Sequence, residues 1–382
     1  MTNKFIPYGK QHIDDDDIEA VVEVLKSDYL TTGPKIKEFE EKFADYVDAK
    51  YAVAVSNGTA ALHAACFAAE IEEGDEVITT PLTFAASANC ILYQSGTPVF
   101  ADVDPKTYNI DPKEIEKKIT DKTKAIIPVH FTGQPCDMDK IHKIAKKHDL
   151  MVIEDAAHAL GATYKGQKIG RLSDMSIFSF HPVKHITTGE GGMVTTNSEE
   201  LYRRLLQFRT HGIIKDEDYY ENKSHGDWYH EQQFLGYNYR MTDIQAALGI
   251  SQLKKSDKFL ERRREIAQIY NEKLKDVEWL RLPYQKNNRE SSWHLYVVQI
   301  DENKLGKSRK GVFDYLREQN LGVQVHYIPV YYHPYYQKLG YQKGICPVAE
   351  GIYEKITSIP IYPKMKDKDI KSVVYRLNYI ND

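Results

Sequence analysis

The chain has 382 residues, 42% hydrophobic and 28% charged, which is the make-up of a soluble globular protein with a large core. Its 51 basic and 55 acidic residues give a net charge of -4, so there is neither the basic excess of a nucleic-acid binder nor an acidic tail. No apolar run approaches the ~20 residues of a membrane-spanning helix. The opening Met1-Thr2-Asn3-Lys4-Phe5-Ile6-Pro7 lacks a signal-peptide apolar region. Cys66, Cys90, Cys136 and Cys346 show no metal-ligand or CxxC spacing and are expected to be free thiols in a reducing cytoplasm. The 27 tyrosines against 13 phenylalanines suit contacts with a partner or with a polar ligand such as a sugar, or a solvent-facing surface.

In chain order, residues 14–26 read as a helix, with acids at the start and Ile18, Val21, Val22 and Leu25 at helical spacing. Residues 35–47 read as a second helix. A short apolar strand, 51–55, runs into Ser56-Asn57-Gly58-Thr59, and an alanine-rich helix follows over 60–69. Strands are predicted at 76–79, 125–129, 151–154 and 176–180, with a helix at 137–147 between two of them. Strand-helix alternation of this kind predicts an α/β fold with a mostly parallel sheet covered by helices. In such sheets ligands bind beyond the carboxyl ends of the strands. Residues 213–234 are polar and aromatic without a period and read as a long loop, of a length that is often functional. From Ser256 the pattern changes: a charged helix over 258–273, a strand over 293–300, a helix over 308–318, the segment 323–327, then helix, strand and helix. The expected division is a large domain, 1–255, and a smaller α+β domain, 256–382, on which the N-terminal segment is free to pack.

Two residues stand out. Lys184 lies after an apolar strand and just before Thr187-Thr188-Gly189-Glu190-Gly191-Gly192, and Asp155 ends the apolar run Met151-Val152-Ile153-Glu154. A lysine at one strand end and an aspartate at another are the two groups that pyridoxal phosphate needs most. The lysine forms the Schiff base, and the carboxylate keeps the ring nitrogen protonated. The competing readings are a solvated lysine and a helix N-cap on Ala156-Ala157-His158. Ser56-Asn57-Gly58-Thr59 sits between strand and helix, where free N–H groups and the helix dipole suit a phosphate or where a serine or threonine simply caps. Ser179 offers a further phosphate contact. His158 is placed to touch the ring or its phenolic oxygen, or to pack. Phe84 is placed to stack on the ring or to fill the core.

Taken together, Ser56-Asn57-Gly58-Thr59-Ala60-Ala61-Leu62, Glu154-Asp155-Ala156-Ala157-His158-Ala159, Ser179-Phe180-His181-Pro182-Val183-Lys184, Gly189-Glu190-Gly191-Gly192 and Asn238-Tyr239-Arg240-Met241-Thr242-Asp243 resemble the DegT/DnrJ/EryC1/StrS sugar aminotransferases, in order and over nearly the whole chain. The resemblance implies a pyridoxal-phosphate enzyme of fold type I and a homodimer with sites at the subunit interface. It implies Lys184 as the Schiff-base lysine and Asp155 as the ring-nitrogen partner. Gly58, Thr59 and Ser179 would hold phosphate, joined by Asn238 from the other subunit. Family dehydratases carry histidine at the lysine position. This chain has Lys184, with His185 beside it, which implies amino transfer.

Ile6-Pro7-Tyr8-Gly9, Ser27-Asp28-Tyr29-Leu30-Thr31 and Gln324-Val325-His326-Tyr327-Ile328 are similar to the branch of the family that serves pseudaminic acid synthesis. That branch moves an amino group from L-glutamate to C4 of a UDP-linked 4-keto-6-deoxy-N-acetyl-hexosamine. The likeness implies that Tyr8, Ser27, Asp28, Tyr29, Leu30, Val325, His326, Tyr327 and Ile328 line the UDP-keto-sugar side, next to Gly58, Ser179 and Asn238. A related nucleotide-sugar aminotransferase with another keto-sugar, or a cofactor-binding regulator, is the alternative.

Overall fold

Alternating apolar strands and helices in the first two hundred residues build a seven-stranded sheet in the computed structural model, which describes residues 4–380. Its strands are β1 (Tyr51–Val55), β2 (Glu76–Thr79), β3 (Thr97–Phe100), β4 (Thr123–Ile127) and β5 (Met151–Asp155). After the hairpin β6 (Thr163–Tyr164) and β7 (Gln167–Lys168) come β8 (Met175–Ser179) and β9 (Gly192–Thr196), and the spatial order is β1-β9-β8-β5-β4-β2-β3. Only β9 runs against the others: it is antiparallel to both β1 and β8, while β8, β5, β4, β2 and β3 pair in parallel.

The period-2 alternation of the strands splits their side chains between two cores. Ala52, Ala54, Ile126, Val152 and Phe178 face the helices Pro34–Val47, Met138–His148 and Asp243–Leu253. Val53, Val55, Ile127, Ile153 and Ile177 face the helices Gly58–Ala68 and Glu199–Phe208. Helix Gly58–Ala68 buries five alanines, at 60, 61, 64, 65 and 68, so it meets the sheet with little side-chain bulk.

The C-terminal part forms its own core. Helix Ser256–Leu274 packs with Arg309–Glu318 and Asp367–Asn378 on an antiparallel sheet of β12 (Leu280–Arg281), β14 (Tyr296–Ile300) and β15 (Ile356–Ile359). The remaining short pairs are β10 (Ile213–Ile214) with β11 (Glu231–Gln232), and β13 (Arg289–Glu290) with β6. Ile6 is buried in the C-terminal core, and its backbone bridges to Leu321. Arg263 is fully buried without a carboxylate; its Nη1 donates to the carbonyls of Trp293 at 3.1 Å, His294 at 3.2 Å and Ile361 at 3.0 Å. Burial pushes that guanidinium down to about 9.

Most of the sequence-based elements form, with shifted ends. The strand expected over 125–129 is Thr123–Ile127, because Pro128 follows and cannot donate to a ladder. The strand expected from 293 starts at Tyr296, since Trp293 adopts φ +49° and turns the chain. Residues 213–234 are largely irregular as expected, tied at their ends by the two-residue β10–β11 ladder. All four cysteines are buried free thiols. Among the described residues no helix is long and apolar enough to cross a membrane.

Candidate active site

Because the strands run in parallel, β1, β2, β5 and β8 deliver the residues that follow them to one edge of the sheet. A cleft of about 980 Å³ opens there. It is lined by Tyr8, Gly58, Thr59, Phe84, Asp155, His158, Ser179, Lys184 and the run Val325, His326, Tyr327 and Ile328. Residues from the β1, β2, β5 and β8 ends and from the C-terminal part thus meet in one chain.

Lys184 closes a turn after β8, its N–H donating to the His181 carbonyl at 2.8 Å. Its side chain is half-buried in the cleft wall. Desolvation pulls its amine from the ordinary lysine range down to about 8, with the Asp155 charge pulling the other way. His185 is not a second candidate: it turns to the Ser292 carbonyl, 3.3 Å away, and does not line the cleft.

Asp155 is 5% exposed at the end of β5. Its Oδ1 accepts from the Ala157 N–H at 3.1 Å and its Oδ2 from the Ser87 hydroxyl at 2.6 Å. No helix follows it, so it is not the helix cap that the sequence left open. His158 also lines the cleft, its Nε2 3.1 Å from the Tyr327 hydroxyl. Its Nδ1 is buried without a partner. Desolvation first, then the neighbouring Lys184, His326 and His185, hold this imidazole well below the usual histidine range, so it is neutral near pH 7.

The turn after β1 is shaped by Asn57, which caps the helix Gly58–Ala68 by accepting from the Ala60 N–H at 2.8 Å. Gly58 and Thr59 open that helix, where backbone N–H groups have no partner within the helix. Gly58 also lets Ser179 approach: a Cβ there would sit 3.0 Å from the Ser179 Cβ. On the far side, burial and then the Lys184 charge push His326 down to about 3. Its Nδ1 lies 2.8 Å from the Ser358 hydroxyl, and its ring centroid 5.3 Å from that of Tyr8.

The chain does not bring Asn238 or Ser27, Asp28, Tyr29 and Leu30 into this cleft. All five are exposed: the Leu30 carbonyl accepts from the Asp243 N–H at 3.0 Å, and Asn238 bridges to Thr210. Sequence reasoning in turn missed Asn57, Ser87, Glu190, Tyr239, His294, Gln324 and His333 as cleft residues. Asn57 carried a signal, as a helix cap between strand and helix. Ser87 and His294 carried none, since each reaches the cleft through tertiary packing.

The arrangement fits pyridoxal phosphate. An amine of lowered basicity faces a carboxylate held by two donors. A buried imidazole nitrogen lacks a partner, and a glycine-opened helix start adjoins a serine. Asp155 and Lys184 would hold the ring nitrogen and the aldehyde carbon, and Gly58, Thr59 and Ser179 the phosphate.

Comparison with known proteins agrees with this geometry. The family model described as the DegT/DnrJ/EryC1/StrS aminotransferase family matches residues 11–378. The chain is 50% identical to MJ1066 of Methanocaldococcus jannaschii, over 98% of this chain and 97% of that protein. It is 46% identical to the spore coat polysaccharide biosynthesis protein SpsC of Bacillus subtilis, over 97% and 96%. Among solved structures it is similar to Helicobacter pylori PseC, an aminotransferase involved in the biosynthesis of pseudaminic acid, with a TM-score of 0.90, 33% identity and 98% of each chain covered. It is likewise similar to the putative sugar aminotransferase Spr1654 of Streptococcus pneumoniae in its PLP form, with a TM-score of 0.91, 31% identity and 98% of each chain covered. The chain belongs to the DegT/DnrJ/EryC1/StrS aminotransferase family, and is therefore a pyridoxal-phosphate-dependent sugar aminotransferase of fold type I.

Proposed function

We propose that this enzyme transfers the amino group of L-glutamate to C4 of a UDP-linked 4-keto-6-deoxy-N-acetyl-hexosamine, giving the 4-amino-4,6-dideoxy-N-acetyl-β-L-altrosamine product of the pseudaminic acid pathway. The observation that carries this reading is the joint placement of Tyr8, Val325, His326, Tyr327 and Ile328 on the same cleft as Lys184, together with the likeness to PseC. Pyridoxal phosphate, when bound, supplies a conjugated sink for the electron pair released as a carbon-bound proton leaves. The chain's own groups do the rest. Lys184 Nζ would take that proton and return it to the carbon on the other side of the transferred nitrogen, and an amine near 8 serves as both base and acid at neutral pH. Asp155 would hold the ring nitrogen. Neutral His158 and Tyr327 form a hydrogen-bonded pair at the cleft wall and orient polar groups without adding charge.

We further place the working unit as a homodimer. Asn238 and Ser27–Leu30 are absent from their own chain's cleft, and all are exposed. Ser27–Leu30 directly follow helix Asp15–Leu25, which carries a row of exposed apolar side chains: Ile18, 56% exposed, Val22, 37%, and Leu25, 55%. A second copy seated there would bury the row and carry Asn238 and Ser27–Leu30 to the neighbouring cleft. The division into units 1–255 and 256–382 and a cytoplasmic location belong to the same reading.

A second reading, a related aminotransferase with another keto-sugar, is favoured by the 46% identity to SpsC. Mass and NMR analysis of the products formed from a panel of UDP-4-keto-6-deoxy sugars with glutamate separates the two. Preference for the L-arabino 4-keto epimer supports the pathway assignment. Preference for the D-gluco epimer leaves the aminotransferase and overturns the pathway.

A further inference from the structure

The helix Ala86–Tyr93 begins Ala86-Ser87-Ala88, and all three residues are buried. Between two alanines, a third would fill the space; a hydroxyl there costs free energy unless it is paired. Ser87 is 1% exposed, and its Oγ lies 2.6 Å from Asp155 Oδ2, 2.7 Å from Thr83 Oγ1 and 3.3 Å from the Phe84 carbonyl. It has one proton to give. A carboxylate oxygen at 2.6 Å is the stronger acceptor, so the Ser87 proton goes to Asp155 and the Thr83 hydroxyl donates to Ser87. With the Ala157 N–H on Oδ1, both carboxylate oxygens then have a fixed donor and the plane of the group is set. Phe84 stands within the same turn, between Thr83 and Ser87, and its ring lines the cleft.

We propose that Ser87 is a positioning residue: the donor chain from Thr83 through Ser87 to Asp155 aims the carboxylate at the cofactor's ring nitrogen and ties the Phe84 ring to the same geometry. The proposal rests on the reading of Asp155 as the partner of that nitrogen. No chemistry is assigned to Ser87 itself.

The test uses the holoenzyme and a double-mutant cycle. In Ser87→Ala, glutamate-driven bleaching of the bound cofactor at saturating glutamate is expected to slow about tenfold, the effect of losing a hydrogen bond to a charged group. The visible circular dichroism of the bound cofactor, which reports ring tilt, is expected to change, with little change in melting temperature. In an Asp155→Asn background the same substitution is expected to cost less than about twofold, because Ser87 acts only through that carboxylate. A full further tenfold loss in that background would mean that Ser87 supports the fold independently, and overturns the proposal. If Asp155→Asn is impaired while Ser87→Ala turns over like wild type, the proposal falls alone. If Asp155→Asn itself matches wild type, the reading of Asp155 falls and the proposal with it. Should Ser87→Ala fold poorly, Thr83→Val removes the upstream donor at similar size. It is expected to slow bleaching about threefold, with Thr83→Ser at wild-type rate; equal rates in the two Thr83 variants overturn the proposal.

Discussion

An alkyl amine titrates near 10.4 in water; at Lys184 the surrounding protein brings it to about 8, against the pull of Asp155. The shift has a consequence for stability. A lysine whose folded pKa lies below its unfolded value costs stability fully below the folded pKa, and the cost vanishes as pH rises through the unfolded one. The cofactor-free protein is therefore expected to gain stability between about pH 8 and about pH 10.5. Lys184→Met removes the amine at similar size. It should be more stable than wild type by about 2 kcal/mol at pH 7, allowing for the cleft's water, and the gap should close toward pH 10.5. Urea titrations across that range check this, and a pH-independent gap counts against a desolvated amine. On the acceptor side, Tyr327→Phe removes a hydroxyl that lies 3.1 Å from His158, and His326→Ala removes the ring beside Tyr8. Leaving polar groups unpaired against a sugar is costly. Turnover of the keto-sugar is expected to fall about tenfold or more in each variant, while bleaching by glutamate falls less. Equal losses in both halves, measured by single-turnover absorbance, would place these residues with the cofactor or the fold instead.

At the scale of elements, the phosphate-side turn depends on how tightly β9 lies against it. A Cβ at Gly192 would meet the Asn57 carbonyl oxygen at 2.5 Å and the Gly58 nitrogen at 2.9 Å, both backbone atoms that cannot swing aside. Gly192→Ala should therefore push the turn away, weaken cofactor binding and cost about 2 kcal/mol or more of stability. Calorimetry together with cofactor titration of the apoprotein tests both effects. Much of the cofactor side was legible in the sequence because it is local. Gly58 and Asp155 lie on or next to short apolar strands that the period-2 pattern reveals, and Lys184 follows one closely. The strands β3 and β9 and the helix Ala86–Tyr93 were not read, being brief or, in the helix, apolar on most sides without a clean period. His294 escaped because its place is set by the carbonyl bonds to Arg263, 31 residues away in sequence. The helix-cap alternative for Asp155 was equally open in the sequence, and only the absence of a helix after β5 closes it.

At the scale of the whole molecule, the cleft of one chain and the exposed face carrying Asn238 belong to a dimer in our reading. Mixing Lys184→Ala with an Asn238→Ala variant of strongly reduced activity tests it. After verified subunit exchange, one site of each mixed dimer holds both defects and the other neither, so activity should return to about a quarter of wild type, as expected for random pairing of two subunit types. No recovery would place Asn238 with its own chain's site. The reversed strand β9 has a bearing on how such an enzyme can change over generations. Residues 180–191 leave the sheet at β8 and re-enter it at the adjacent strand, anchored at both ends by paired backbone. An insertion or deletion there has no slack to absorb it and would carry Lys184 off the cleft. The 213–234 segment contributes no residue to the cleft lining, so a change in its length costs little closure entropy and leaves Lys184 in place. New acceptor preferences are thus expected to arise through the C-terminal rim of the cleft, from Gln324 to Ile328, while the lysine hairpin keeps its length.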